Sequence, residues 1–202
     1  MLKCLITITK KKMKKKMLKK HVEKRHNKPQ SDLDFKIMAV CFSIRDKLKN
    51  PMKKVEKAGI KTGERVLDYG CGTGSYSIAA AEVIGPSGKI YAVDIHPLAI
   101  KKVKKKAAKK GLTNLNTILT ECKTDLEDKS IDVVICFDTL HALENLKENL
   151  KEFHRVLKPN AILSVDDHHS KEQEIISKIQ ENGLFNLLVK KEKILNFIKI
   201  SS

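Results

Sequence analysis

From residue 65 onward the chain alternates short apolar runs with helical stretches, and no other feature restricts its fold so tightly. Runs at 66–69, 89–93 (ending at Asp94), 116–119, 131–137 and 162–165 read as strands. Between them, 75–84 and 97–110 have helical spacing; Gly85-Pro86 stops the first, while Pro97 opens the second and Gly111 caps it. Leu143, Leu146, Leu150, Phe153 and Leu157 step along one face of a further helix that Pro159 ends. Ser170-Lys171-Glu172-Gln173 forms a capping box that opens a helix running to Asn182. A tight turn cannot join parallel strands, so helical crossovers imply parallel pairing with right-handed winding. The last two runs, 185–190 and 194–200, have only Lys191-Glu192-Lys193 between them, which makes them an antiparallel hairpin. The expected fold is α/β: a doubly wound, mostly parallel sheet closed by an antiparallel C-terminal hairpin, with an N-terminal helical extension.

A chain of 202 residues has room for one domain of ordinary size plus some decoration. Its net charge of +17 is unevenly spread: residues 1–30 hold 12 Lys/Arg and one Glu, a net +11, leaving +6 for the rest. Three regions follow: a basic extension over 1–30, helices over 31–60, and an α/β domain over 61–202. In 32–48, apolar residues at 33, 37, 40, 41, 44 and 48 have amphipathic spacing, and a short second helix runs from Pro51 to Gly59. Seven lysines within 101–110 read as the wet face of a helix whose Ile100, Val103 and Ala107 point inward. Five scattered cysteines with no C-x-x-C pair imply a reducing compartment, and no run approaches the ~20 apolar residues needed to cross a bilayer. The apolar run 2–9 precedes the lysine tract instead of following it, the reverse of a secretory signal. The expectation is a soluble, cytoplasmic protein without a transmembrane segment.

Open α/β sheets bind ligands beyond the carboxyl ends of their strands, where the winding reverses. After the first strand comes Asp68-Tyr69-Gly70-Cys71-Gly72-Thr73-Gly74, where glycines allow close backbone approach and the next helix start offers N–H groups to an anion. This loop also reads simply as a strand-to-helix turn. The second strand ends in Asp94, twenty residues beyond Gly74, where a carboxylate can accept from both ribose hydroxyls or can cap the helix after it.

Four ordered stretches carry a resemblance: Val66-Leu67-Asp68-Tyr69-Gly70-Cys71-Gly72-Thr73-Gly74, Tyr91-Ala92-Val93-Asp94, Ser130-Ile131-Asp132-Val133-Val134, and Phe153-His154-Arg155-Val156-Leu157-Lys158-Pro159-Asn160. Together they resemble the class I S-adenosylmethionine-dependent methyltransferases over roughly residues 59–200, and the terminal hairpin is similar to that family's seven-stranded sheet. The resemblance implies S-adenosyl-L-methionine as cofactor. It places Gly70, Cys71, Gly72 and Gly74 beneath the methionine part and Asp68 near the amino group. Asp94 falls on the ribose, Ile95 on the adenine face, Glu121-Cys122 on the adenine edge, and Phe137-Asp138 beside the methyl-transfer pocket. Glu121-Cys122 departs from the family's usual Gly-Asp-Ala. No metal ion is called for.

A base is needed only where the acceptor arrives protonated, and Asp138, His141, Asp166, His168 and His169 lie at strand ends where one would act. His141, His168 and His169 also read as packed or solvated side chains, and His154 as structural. Phe137-Asp138-Thr139-Leu140 lacks the Asn/Asp-Pro-Pro-Tyr sequence that resembles amino-directed nucleic-acid methyltransferases, and nine Phe/Tyr without Trp leave few stacking platforms. Cys41, Cys71, Cys122 and Cys136 read as core packing. Phe35, Met38 and Phe42 of the first helix are expected to cover the acceptor. A small molecule is the first choice of acceptor, a protein side chain second and RNA third. The basic arm over 1–30 fits a solvated extension, an RNA-binding arm or an arm for an anionic surface. Two other functions compete. A nicotinamide-dependent oxidoreductase needs G-x-G-x-x-G, whereas Gly74 falls one residue early and no Tyr-x-x-x-Lys pair exists. A non-catalytic module would bind its partner through the basic arm.

Overall fold

In the computed structural model, residues 31–48 and 50–200 are described. The basic arm over 1–30, with its three readings, lies outside them. Two helices, α1 (Asp32–Leu48) and α2 (Pro51–Lys57), precede the sheet domain. There follow β1 (Arg65–Tyr69), α3 (Ser75–Ile84), β2 (Lys89–Asp94), α4 (Pro97–Lys109), β3 (Leu115–Leu119) and β4 (Ile131–Phe137). A 3-10 turn (Leu140–Ala142) leads to α5 (Leu146–Val156), β5 (Leu157–Asp166), α6 (Glu172–Gln180), β6 (Phe185–Lys191) and β7 (Ile194–Lys199). The seven strands run in the order β3-β2-β1-β4-β5-β7-β6, with β7 antiparallel to both neighbours and the other pairs parallel. The expected doubly wound sheet with its antiparallel ending is therefore present.

Alternation along each strand divides the core between the two sheet faces. Leu67, Tyr69, Val134 and Cys136 point to the side covered by Leu150 and Phe153 of α5 and Ile175 and Ile179 of α6. Val66, Val133, Ile135 and Phe137 point to the side covered by α2 and by Ala79, Ala80 and Ile84 of α3. Phe153 is fully buried, which stabilises the fold by about 1.5–3 kcal/mol.

Several local expectations need correction. The helix expected over 143–157 begins at Leu146 and ends at Val156, because Leu140–Ala142 forms its own 3-10 turn. Pro159 does not merely stop that helix. It lies inside β5, where the pairing slips between Ile131↔Leu157 and Val133↔Ile162 and Asn160 has φ +61°; an irregular stretch tolerates the missing N–H. The capping box at Ser170 does not form: Lys171 is the N-cap and no side chain closes it.

The first helix is turned opposite to its expected stripe. Phe35 and Ala39 are buried with Met38 packed beside them, whereas Leu33, Ile37, Val40 and Cys41 are exposed. Both faces of this helix are apolar, and the face bearing the larger rings wins the core: Phe35 lies 4.4 Å from the His96 ring. Cys41 is thus not a core residue, whereas Cys71 and Cys136 are buried as expected and Cys122 is half-buried. Ala99, not Ile100, joins Val103 and Ala107 as a buried residue of α4. Among the described residues, no helix is long and apolar enough to cross a membrane.

The β1–α3 turn depends on a missing side chain. Gly74 has φ +78°, and a Cβ there would stand 2.7 Å from Val103 Cγ2 of α4. Gly74→Ala should lower unfolding stability by about 1–3 kcal/mol through strain and overpacking. Combined with Val103→Ala, it should cost less than the two single changes added together, as read by urea denaturation.

Candidate active site

The winding reverses between β1 and β4, so the loops after these two strands border one cleft. Phe42, Arg45, Gly70, Cys71, Gly72, Thr73, Ser75, Tyr76, Phe137, Asp138 and Thr139 line it. Gly70, Gly72 and Gly74 all have positive φ, a conformation that L side chains rarely adopt. At Gly70 a Cβ would overlap the Thr139 side chain, so the two loops meet with no room to spare, and Thr139 Oγ1 donates to the Gly70 carbonyl at 3.3 Å.

The loop is fastened to the end of β2. Gly70 N and Cys71 N donate to the Val93 carbonyl at 2.8 and 2.9 Å, and Gly72 N donates to Asp94 Oδ2 at 2.8 Å. Asp94 Oδ1 accepts from His96 N at 2.8 Å, so this carboxylate both ties the loop and steadies the entry to α4, whose N-cap is His96. Burial pushes the Asp94 carboxyl above its ordinary range, opposed by those backbone N–H groups. Each of its oxygens keeps a further lone pair. The α3 N-terminus behind the loop has no side-chain cap, which suits it to receive an anion. Thr120 N donates to the Asp94 carbonyl at 3.2 Å, bringing the loop after β3 alongside. Ile95 is half-buried there and Cys122 N donates to Thr120 Oγ1 at 3.4 Å. The Glu121 side chain is exposed, and its carbonyl accepts from the Tyr69 hydroxyl at 2.9 Å. Asp94, Ile95, Glu121 and Cys122 are not among the cleft-lining residues.

A polar cluster adjoins the cleft at Asp138 and Arg45; its histidines, Lys54, Asp166 and Asp167 are not among the lining residues. Asp138, with φ +54°, accepts from Arg45 Nη1 at 3.0 Å and from His168 Nδ1 at 2.7 Å, with Lys54 Nζ at 3.8 Å. Burial pushes this carboxyl up, but the His168 hydrogen bond and the Lys54 and Arg45 charges outweigh it and hold it below the usual range. Lys54 also pairs with Asp166. Asp167 Oδ2 accepts from His141 N at 2.7 Å and from His141 Nδ1 at 2.8 Å, and its Oδ1 accepts from His169 N at 2.9 Å. Against its burial, these bonds hold Asp167 at about 2. His169 lies between the other two rings, tilted to both, 4.1 Å from His141 and 3.9 Å from His168. Burial lowers its affinity for a proton, and so do the neighbouring imidazoles.

The five expected base candidates, Asp138, His141, Asp166, His168 and His169, therefore gather at one place. Arg45, Lys54, Tyr76, Thr139 and Asp167 were not anticipated from the sequence. Arg45 and Asp138 are 93 positions apart, so no local spacing marks the pair. Tyr76 offered a signal, an aromatic two residues after the glycine loop; it meets Phe137 edge-on at 5.1 Å. Phe42 lines the cleft, with the Arg45 guanidinium 4.3 Å from its ring, whereas Phe35 and Met38, expected with it to cover the acceptor, pack against Leu98 and Ala99 and are not among the lining residues. Burial pushes the thiols of Cys71, Cys122 and Cys136 above the ordinary range, which suits packing better than nucleophilic chemistry.

Asp68 lies beneath the loop and is 1% exposed, accepting from Ser77 Oγ at 2.5 Å. Burial is the main cause that pushes its carboxyl from 3.8 to about 7. The unfolded chain then releases this proton before the folded one does. Stability should fall as pH rises from about 4 to about 7, by roughly 4 kcal/mol from this group alone, and stay level above. Asp68→Asn should remove that slope, leaving the variant near the parent in stability at the acid end and more stable above neutrality by thermal melting.

Residues 60–200 match a family model described as a methyltransferase domain. Demethylmenaquinone methyltransferase of Geobacillus stearothermophilus is 33% identical over 122 residues, 60% of this chain and 52% of that protein. The ubiquinone/menaquinone biosynthesis C-methyltransferase of Hydrogenovibrio crunogenus is 28% identical over 143 residues, 70% of this chain and 56% of that protein. The chain thus spans about half the length of the curated relatives it matches. A crystal structure of a SAM-dependent methyltransferase from Aquifex aeolicus superposes with a TM-score of 0.71 at 26% identity, covering 77% of this chain and 93% of that one. The glycine loop clasped to a strand-two carboxylate at the switch point and a family match spanning most of the sequence lead to one assignment: the chain belongs to the methyltransferase-domain family.

Proposed function

We propose that the chain is an S-adenosylmethionine-dependent methyltransferase acting on a small-molecule acceptor. The observation that carries this reading is the Gly72 N–H to Asp94 bond at 2.8 Å, which joins the glycine loop to an acid with lone pairs to spare. S-adenosylmethionine, when bound, supplies a methyl group on a positively charged sulfur that an aligned nucleophile displaces. The residues fit that cofactor. A Cβ at Gly72 would meet nothing nearer than Phe42 at 3.9 Å, so the loop offers an open cradle. Gly70, Cys71, Gly72 and Gly74, with the uncapped α3 N-terminus, hold the methionine end, and Asp94 takes the ribose hydroxyls. Ile95 and the Glu121-Cys122 turn flank the adenine. Asp68 supports the loop from below through Ser77.

Phe137 and Tyr76 wall the transfer end, and α1 and α2 form the cover over it, held by the Arg45–Asp138 and Lys54–Asp166 ion pairs. Among the histidines, His141 is the proposed base. Its Nδ1–H is fixed by the buried Asp167, which leaves Nε2 to take the proton that the acceptor sheds. His168 and Asp138 orient that end of the cleft, and His169 between the rings keeps the two dyads apart. The relatives named for quinone C-methylation support an apolar ring as the acceptor class.

Asp94→Ala should weaken S-adenosylmethionine binding in calorimetry by about tenfold or more, because the ribose hydroxyls are then left without their carboxylate acceptor. NAD should not bind the parent. Undiminished cofactor affinity in Asp94→Ala would overturn the cofactor assignment. With a hydroxynaphthalene acceptor, His141→Ala should cut kcat by about 10²–10⁴ at unchanged cofactor affinity. Unchanged turnover would remove His141 as base while leaving the transferase reading intact.

A further inference from the structure

The first helix is apolar on two opposite faces, and only one of them is covered. Phe35, Met38 and Ala39 pack inward, while Leu33 is 67% exposed, Ile37 57% and Val40 61%, with Cys41 exposed beside them. These four positions follow the i, i+4, i+7, i+8 spacing that places them on one helix face. An apolar helix face left in water is matched by apolar surroundings on that side.

The neighbouring surface is basic. The α4 helix adjoins α1 through Ala99 and through Lys102, whose Nζ lies 5.5 Å from the Phe35 ring centre, and it exposes Lys101, Lys104, Lys105 and Lys109. Lys36 of α1 is also exposed. The sequence that enters α1 at Ser31 carries a net +11 over its thirty residues.

We propose that the outer face of α1, with the lysines of α4, docks on the surface of an anionic lipid bilayer. An apolar helix face flanked by lysines matches the boundary between acyl chains and anionic headgroups, which accommodates both at once. A nucleic acid would satisfy the lysines and leave Leu33, Ile37 and Val40 in water. A second copy of the chain would cover the apolar face and bring the two sets of lysines together. Phe42 and Arg45 of the same helix line the cleft, so docking sets the cleft close to the membrane surface. This docking stands independently of the methyl-transfer reading.

The test is flotation of the full chain with vesicles of phosphatidylcholine alone and of equimolar phosphatidylcholine and phosphatidylglycerol. Binding is expected to the mixed vesicles, at least about tenfold above the neutral ones, and to weaken with added salt. The triple variant Leu33→Gln, Ile37→Gln, Val40→Gln keeps a good helix former at each position. It should lose about tenfold or more in vesicle binding while its melting temperature stays put. Lys101→Glu with Lys105→Glu should weaken binding in the same direction. No binding of the parent to anionic vesicles overturns the proposal. Equal binding by the triple variant also overturns it, leaving the basic arm to account for attachment. So does a parent dimer in sedimentation that the triple variant abolishes, or retention of RNA in place of vesicles.

Discussion

The reversal of winding between β1 and β4 is the constraint on which the rest of the molecule depends. From β1 the chain steps outward to β2 and β3, then returns past β1 to continue on its other side. The loops leaving β1 and β4 must therefore diverge to opposite sides of the sheet, and the gap between them opens at the carboxyl edge. Gly70 and Thr139 bring the two loops into direct contact at the floor of that gap. The cleft is a consequence of strand order before it is a matter of any side chain.

Electrostatics then set what the gap can hold. On one side a single carboxylate, Asp94, accepts from the glycine loop and from the entry to α4, so one side chain ties both segments to the end of β2. On the other, Asp138, Asp166 and Asp167 emerge within hydrogen-bonding reach of Arg45, Lys54, His141 and His168. Half-buried charges in such a setting are costly unless paired. Arg45 and Lys54 thereby tie α1 and α2 to the ends of β4 and β5, while Val55 of α2 joins the core on the α3 side of the sheet and Phe35 and Ala39 of α1 pack against Ala99 of α4.

Much of the fold was legible because it rests on local chemistry. The strands at 66–69 and 131–137, the α3 helix and the glycine loop are short-range patterns, and the strand-helix alternation dictates parallel pairing. The place of Asp94 was legible too, since a strand end has a fixed address in such a sheet. Other features were hidden for identifiable reasons. The α1 helix has two apolar faces, so periodicity alone could not say which one the core would take. Pro159 reads as a helix stop, yet the irregular pairing at the start of β5 accommodates it. The capping box at Ser170 is a sequence pattern whose hydrogen bonds depend on where the chain leaves Asp167, and there the helix begins one residue later than the box requires.

The sequence by itself determined the order of elements, the handed parallel sheet, the position of the glycine loop and the presence of a strand-two acid, because each depends on residues close together along the chain. Only the tertiary structure decided that Arg45 and Lys54 face Asp138 and Asp166, that three imidazoles meet beside two aspartates, and which side of α1 meets water. The Arg45–Asp138 contact joins segments 93 positions apart, and charge pairing and competition for buried area are settled only when the whole chain has closed on itself.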